Sequence, residues 1–144
     1  MNQSIYNDGT YLACNASWHE EDSPYKASLV EKALQRTDTS FRTCADVGCG
    51  GGLVAQLLAD RHPVAAVHGW DISPDVRKFW TGKHGVTFHQ QDLLATTEHF
   101  DLVVCLDVFE HVEDCIGFLR TLRERADRFI FNIPLDMNVA KLVT

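Results

Sequence analysis

The chain has 144 residues, 45% hydrophobic and 23% charged, a globular composition that suits one domain with a core and excludes a disordered or fibrous chain. Its 20 acidic residues outnumber 13 Lys and Arg, giving a formal charge of −7; with the bases scattered, this excludes a nucleic-acid partner. No apolar run approaches the roughly 20 residues that cross a bilayer, and Met1-Asn2-Gln3-Ser4 lacks the basic and apolar regions of a signal peptide, so no membrane partner and a cytoplasmic location are expected.

Residues 1–21 are polar and aromatic without a clear period, and read as an N-terminal arm or lid. Asp22-Ser23-Pro24 then supplies capping side chains and a proline suited to a first helical turn. A helix is expected over 23–35, burying Tyr25, Leu29, Val30, Ala33 and Leu34. From there residues 22–144 form one core domain, whose sheet occupies 42–134. Strands are expected near Thr43–Val47, Ala65–Trp70, Val86–His89, Phe100–Leu106 and Arg128–Ile133, with helices near Gly52–Arg61, Pro74–Thr81 and Asp114–Ala126. Runs such as Leu102-Val103-Val104-Cys105-Leu106 are apolar throughout, as strands covered on both faces must be. The fold class is therefore α/β, a doubly wound, mostly parallel sheet with helices on both faces. Arg120, Arg123, Arg125 and Arg128 form the one local basic cluster, expected as the solvated face of a surface helix. Leu135–Thr144 is too short for further strands, which would leave the fifth strand's edge open to self-association as a homo-oligomer or to a partner.

Five cysteines, Cys14, Cys44, Cys49, Cys105 and Cys115, form no C-x-x-C pair and are expected as reduced, mostly buried thiols. Seven histidines invite a metal, but none forms an H-x-x-x-H pair with a nearby carboxylate, so no metal site is expected. His62, His68, His84, His89 and His99 read as surface or strand-end residues.

The strongest chemical signal is Asp46-Val47-Gly48-Cys49-Gly50-Gly51-Gly52-Leu53, placed where a buried strand turns into a helix. A dinucleotide fingerprint starting at Gly48 would need glycine at 53, where Leu53 stands; the pattern is instead acidic-x-G-x-G-x-G. This stretch resembles motif I of the class I S-adenosylmethionine-dependent methyltransferases, whose fold is Rossmann-like. The resemblance implies that Asp46, Gly48, Cys49 and Gly50 hold the methionine part of the cofactor; read alone, Asp46 is equally a buried turn carboxylate. Asp71 ends the second strand, where a carboxylate can accept both hydroxyls of a ribose, and Ile72 would face the adenine. Gln90-Gln91-Asp92-Leu93-Leu94 resembles the adenine-recognition motif, with Asp92 accepting from the exocyclic amine and Leu93 covering the ring; Asp92 also reads as a turn cap.

Phe100 to Val112 matches the family's fourth strand and the loop after it. Leu106 and Asp107 would border the methionine end. Glu110-His111 would lie near the acceptor, with His111 either a general base or a packing residue. Trp18 to Ala27 resembles a lead-in that folds over the cofactor, so Trp18 and His19 would close the pocket and Lys26 would face the cofactor carboxylate; Trp18 reads equally as an anchor for the arm. The resemblance spans roughly 18–136 and implies a fold lacking the last two strands. It implies methyl transfer from S-adenosylmethionine to a small-molecule acceptor. A catalytically incomplete cofactor-binding or protein-interaction module is the alternative, and an NAD-dependent oxidoreductase a minor one. Orientation and exclusion of water, worth up to roughly 7–11 kcal/mol, would be the protein's main contribution.

Overall fold

The computed structural model describes residues 20–134. Trp18, His19, Cys14, most of the expected arm and the tail after Pro134 lie outside the described residues. Five strands, β1 (Thr43–Val47), β2 (Ala66–Asp71), β3 (Val86–Gln90), β4 (Phe100–Leu106) and β5 (Ala126–Asn132), form one sheet in the order β3-β2-β1-β4-β5. Every pairing is parallel. Parallel neighbours need crossovers, and helices α1 (Ser23–Arg36), α2 (Leu53–Arg61) and α3 (Cys115–Leu122) cover the two faces. The strand and helix alternation is the one expected from the apolar runs.

Side chains alternate between two cores. Cys44, Leu102 and Val104 face Val30, Leu34 and Leu58 on one side. Ala45, Val47 and Val103 meet Trp70, Leu93 and Leu122 on the other. Asp46, between Ala45 and Val47, therefore points to the first side, in register with Gly69 of β2 and Val104 of β4. Cys44 and Cys105 are buried free thiols, with Cys49 and Cys115 free and half-buried. No helix among the described residues is long and apolar enough to cross a membrane.

Several local expectations are corrected. Helix α1 buries Ser23, Ala27, Val30 and Leu34, a stripe rotated away from Tyr25, which is 66% exposed; Leu29 and Ala33 are half-buried. Docking against α2 sets that face, and residues two apart on a helix point in nearly opposite directions. Pro24 stands in the first turn as expected, but Asp22 makes no side-chain cap. Pro74–Phe79 is a 3-10 helix, begun by Ser73 Oγ accepting from the Asp75 amide at 3.3 Å. Helix α3 stops at Leu122, and backbone bonds from Glu124 to Thr121 and from Arg125 to Leu122 turn the chain into β5. The basic cluster is thus divided between helix end, turn and strand. His68 and His89 meet across β2 and β3, ring nitrogens 2.9 Å apart, with His89 stacked on Trp70.

Candidate functional site

Strand β1 ends at Val47 and the chain must reverse into α2, so its glycines carry the turn. Gly48 and Cys49 donate their amides to Trp70 O at 2.8 and 3.0 Å, which ties the turn to the end of β2. Gly52, the residue before α2, has φ of +85°, a left-handed conformation that a side chain resists. A Cβ there would also strike the Phe88 ring, with Phe88 Cζ at 2.7 Å.

Between this loop and the loop after β4 is a cavity of about 510 Å³, within the usual range of small-molecule sites, roughly 300–1,000 Å³. Gly48, Cys49 and Gly50 form one wall. Leu106, Asp107 and His111 form the opposite one, with Lys26 of α1 reaching in from the side. Asp46 lies at the base, 3% exposed, and its Oδ2 has no hydrogen-bond partner among the described residues. Burial, and then the charge of Asp71, push its carboxyl up to about 7 from an ordinary 3.8, against the opposing pull of Lys26 and of the Ala55 amide. A buried acceptor left unmatched by the protein is costly and calls for an external donor.

Two other lining carboxylates, Asp107 and Glu20, are engaged by lysines. Asp107 Oδ2 is 2.7 Å from Lys26 Nζ, and Asn132 Nδ2 donates to Asp107 Oδ1 at 2.6 Å. Lys26 thus pairs with Asp107 while also lining the cavity. Asp107 itself holds φ of +57°, an uncommon conformation for a residue with a side chain. Glu20, at the mouth, is 2.9 Å from Lys83 Nζ. His111 Nε2 is 4.0 Å from Glu110 Oε1, both lining the cavity.

Four expected cofactor residues do not line this cavity. Asp71 Oδ2 accepts from the Gly50 amide and Oδ1 from the Ser73 amide, both at 2.8 Å. Its carboxyl is held above the ordinary value, chiefly by burial, although those amides oppose the shift. Asp71 thus helps hold the glycine loop. Ile72 is 46% exposed at the rim. Asp92 Oδ1 accepts from the Leu94 amide at 2.8 Å, the capping role that its sequence also allowed. Leu93, 1% exposed, spends its side chain on the core and offers no face to a ring.

Trp80, Lys83 and Asn132 were missed because they belong to no motif. Trp80 Nε1 donates to Gly50 O at 2.9 Å, a contact that its place near the end of the expected helix over 74–81 does not signal.

An all-parallel sheet of this order, with a glycine turn after β1 and carboxylates gathered at the carboxyl ends of its strands, defines a Rossmann-like ligand-binding domain. The chain belongs to the methyltransferase domain family, whose model matches residues 18–132. This membership removes the nicotinamide reading. The ubiquinone biosynthesis O-methyltransferase of Methylobacterium sp. (strain 4-46) is 38% identical over 87 residues, 55% of this chain and 34% of that protein. The enzyme of the same name from Rickettsia canadensis (strain McKiel) is 31% identical over 100 residues, 65% of this chain and 42% of that protein. The chain thus spans between 34% and 42% of these curated relatives. Among solved structures, the plantazolicin methyltransferase BpumL in complex with a monoazolic desmethylPZN analog and SAH superposes with a TM-score of 0.72 at 17% identity, over 87% of this chain and 52% of that one. The magnesium protoporphyrin IX methyltransferase of Synechocystis PCC 6803 with bound SAH gives a TM-score of 0.63 at 26% identity, over 83% of this chain and 59% of that one.

Proposed function

We propose that this chain binds S-adenosylmethionine in the cavity at the carboxyl rim of the sheet and transfers its methyl group to a small-molecule acceptor in the cytoplasm. The observation that carries the reading is the Asp46 carboxylate, buried in that cavity with one oxygen unmatched among the described residues. The fit is electrostatic. With Lys26 committed to Asp107 and Lys83 to Glu20, the lining carboxylates of Asp22 and Glu110, joined by Asp46 in its ionised form, leave an excess of negative charge, suited to a ligand that carries a sulfonium and an ammonium. The family relatives are O-methyltransferases by name, and both solved neighbours carry SAH.

When bound, the cofactor supplies a methyl group already activated on sulfur. The chain's contribution is to bind, orient and exclude water. Gly48, Cys49 and Gly50 present backbone without obstructing side chains. Asp46 accepts from a cationic donor, while Leu106 and Asp107 close the facing wall. At the rim Asp71 has acceptor capacity beyond its two backbone bonds for ribose hydroxyls, and Ile72 offers an apolar face. Asp92 Oδ2 is the oxygen that its cap leaves for adenine. His111 serves as a base where the acceptor must lose a proton.

Isothermal titration of the folded chain with S-adenosylmethionine and S-adenosylhomocysteine tests this reading. Binding of both, weakened by Asp46→Asn, is the expected result; absence of heat with either overturns it. A second reading is a module that holds cofactor without turnover. S-adenosylhomocysteine binding with no incorporation of labelled methyl into any metabolite fraction would select it. Strand β5 pairs with β4 alone among the described residues, which supports self-association through its outer edge; sedimentation as a monomer would refute that.

A further inference from the structure

The structure assigns Trp80, which lies in no cofactor motif, a positioning role: its indole N–H fixes the carbonyl of Gly50 and thereby presets the glycine loop for the ligand. The inference rests on the proposed cofactor site.

Gly50 is held at both ends by side chains remote in sequence. Its N–H donates to Asp71 Oδ2 at 2.8 Å, and its C=O accepts from Trp80 Nε1 at 2.9 Å. The peptide planes on either side of Gly50 are therefore set, although its φ of +52° lies in a region where glycine turns freely. The indole cannot swing away easily, because it stacks on Phe88, centroids 4.8 Å apart and planes within 10°. Phe88 is in turn seated over Gly69, where a Cβ would come within 2.8 Å of its Cε1.

A second strap reinforces the first. Lys83 Nζ donates to Phe79 O at 2.7 Å and to Glu20 Oε1 at 2.9 Å, and the Glu20 carboxyl packs where a Cβ on Gly51 would stand, its Cδ 2.9 Å from that point. The short segment from Phe79 to Lys83 thus brackets three consecutive glycines from outside the cavity. A free loop of glycines would lose much conformational freedom on binding. A loop already held in place loses less, which is how preorganisation raises affinity.

Trp80→Phe is the test, since it keeps a ring on Phe88 and deletes only the N–H. By titration with S-adenosylhomocysteine, the dissociation constant should rise about 3-fold to 10-fold, the ratio that one hydrogen bond supports. Native-state amide exchange without ligand should show faster exchange at residues 49–53, while β4 retains its protection. Unchanged affinity in the variant overturns the proposal. So does loss of protection in β4 equal to that in the loop, which would make Trp80 an ordinary packing residue. If the wild-type chain fails to bind S-adenosylhomocysteine, the cofactor reading fails instead, and the exchange comparison still shows whether Trp80 holds the loop.

Discussion

Replacing Gly52 by alanine separates two physical demands made on one residue. At φ of +85°, an alanine must sit in a left-handed conformation, at a cost of about 1–2 kcal/mol. Its methyl must also displace the ring of Phe88, whose Cζ is 2.7 Å from the ideal Cβ position, and press on Trp80 Cδ1 at 3.3 Å. Overpacking of this kind costs about 1–3 kcal/mol. The lower entropy of the unfolded chain returns only about 0.5 kcal/mol. Gly52→Ala should therefore destabilise the fold by about 2–4 kcal/mol, a fall in Tm on the order of 10 °C for a domain of this size. Urea denaturation of the four proteins in a cycle with Phe88→Ala apportions the loss. In the Phe88→Ala background the clash with that ring vanishes, and the cost of Gly52→Ala should fall to roughly the backbone part less the entropy return, about 0.5–1.5 kcal/mol. A cost under about 0.5 kcal/mol in the wild-type background, or the same cost in both backgrounds, refutes the account of this turn.

Asp46 and Lys26 give two further predictions. The native Asp46 carboxyl, pushed up to about 7 from 3.8, binds its proton across a window in which the unfolded chain has released it. Its contribution to stability therefore falls as pH rises from about 4 through 7. Asp46→Asn should have a Tm advantage over the wild type that grows across that window and is largest at pH 8, measured calorimetrically without ligand. A difference that does not vary with pH would refute this. Lys26→Met breaks a half-buried pair of 2.7 Å with Asp107 and should cost about 1–2 kcal/mol. Because Lys26 also draws the Asp46 carboxyl downward, the variant should move the midpoint of that pH dependence upward; an unmoved midpoint would show the two groups to be uncoupled.

The sheet was legible because its chemistry is local. A segment such as Leu102–Leu106, apolar at every position, has no stable place except between two layers, and β4 keeps the same bounds in the structure. Faces and endings were less legible. Tyr25 is exposed because α1 is oriented by what it docks against, and a three-residue difference in stripe position is not encoded in the helix's own spacing. Of the site, the glycine loop and the residues across from it were readable, since a turn needing positive φ leaves a glycine signature. What the pattern could not give was how acceptors are shared out. Asp71 and Asp92 stand at strand ends as expected, yet each also accepts from backbone amides. Lys26 faces a carboxylate of its own chain. The partnerships of Asp71 with Gly50 and of Lys26 with Asp107 join segments tens of residues apart, as that of Trp80 with Gly50 does.

The opposite end of the sheet puts this arrangement in perspective. There the Asp101 Oδ2 accepts from the amides of Arg42 and Thr43 at 2.7 and 3.0 Å, while Thr43 Oγ1 accepts from the Asp101 amide at 2.9 Å. That lattice clamps the starts of β1 and β4 together. Mechanical duty is thereby concentrated at the pole of the strands opposite the proposed site. Substitutions beyond Val47, Asp71 and Leu106 can retune what the molecule handles while the foundation beneath them keeps its alignment.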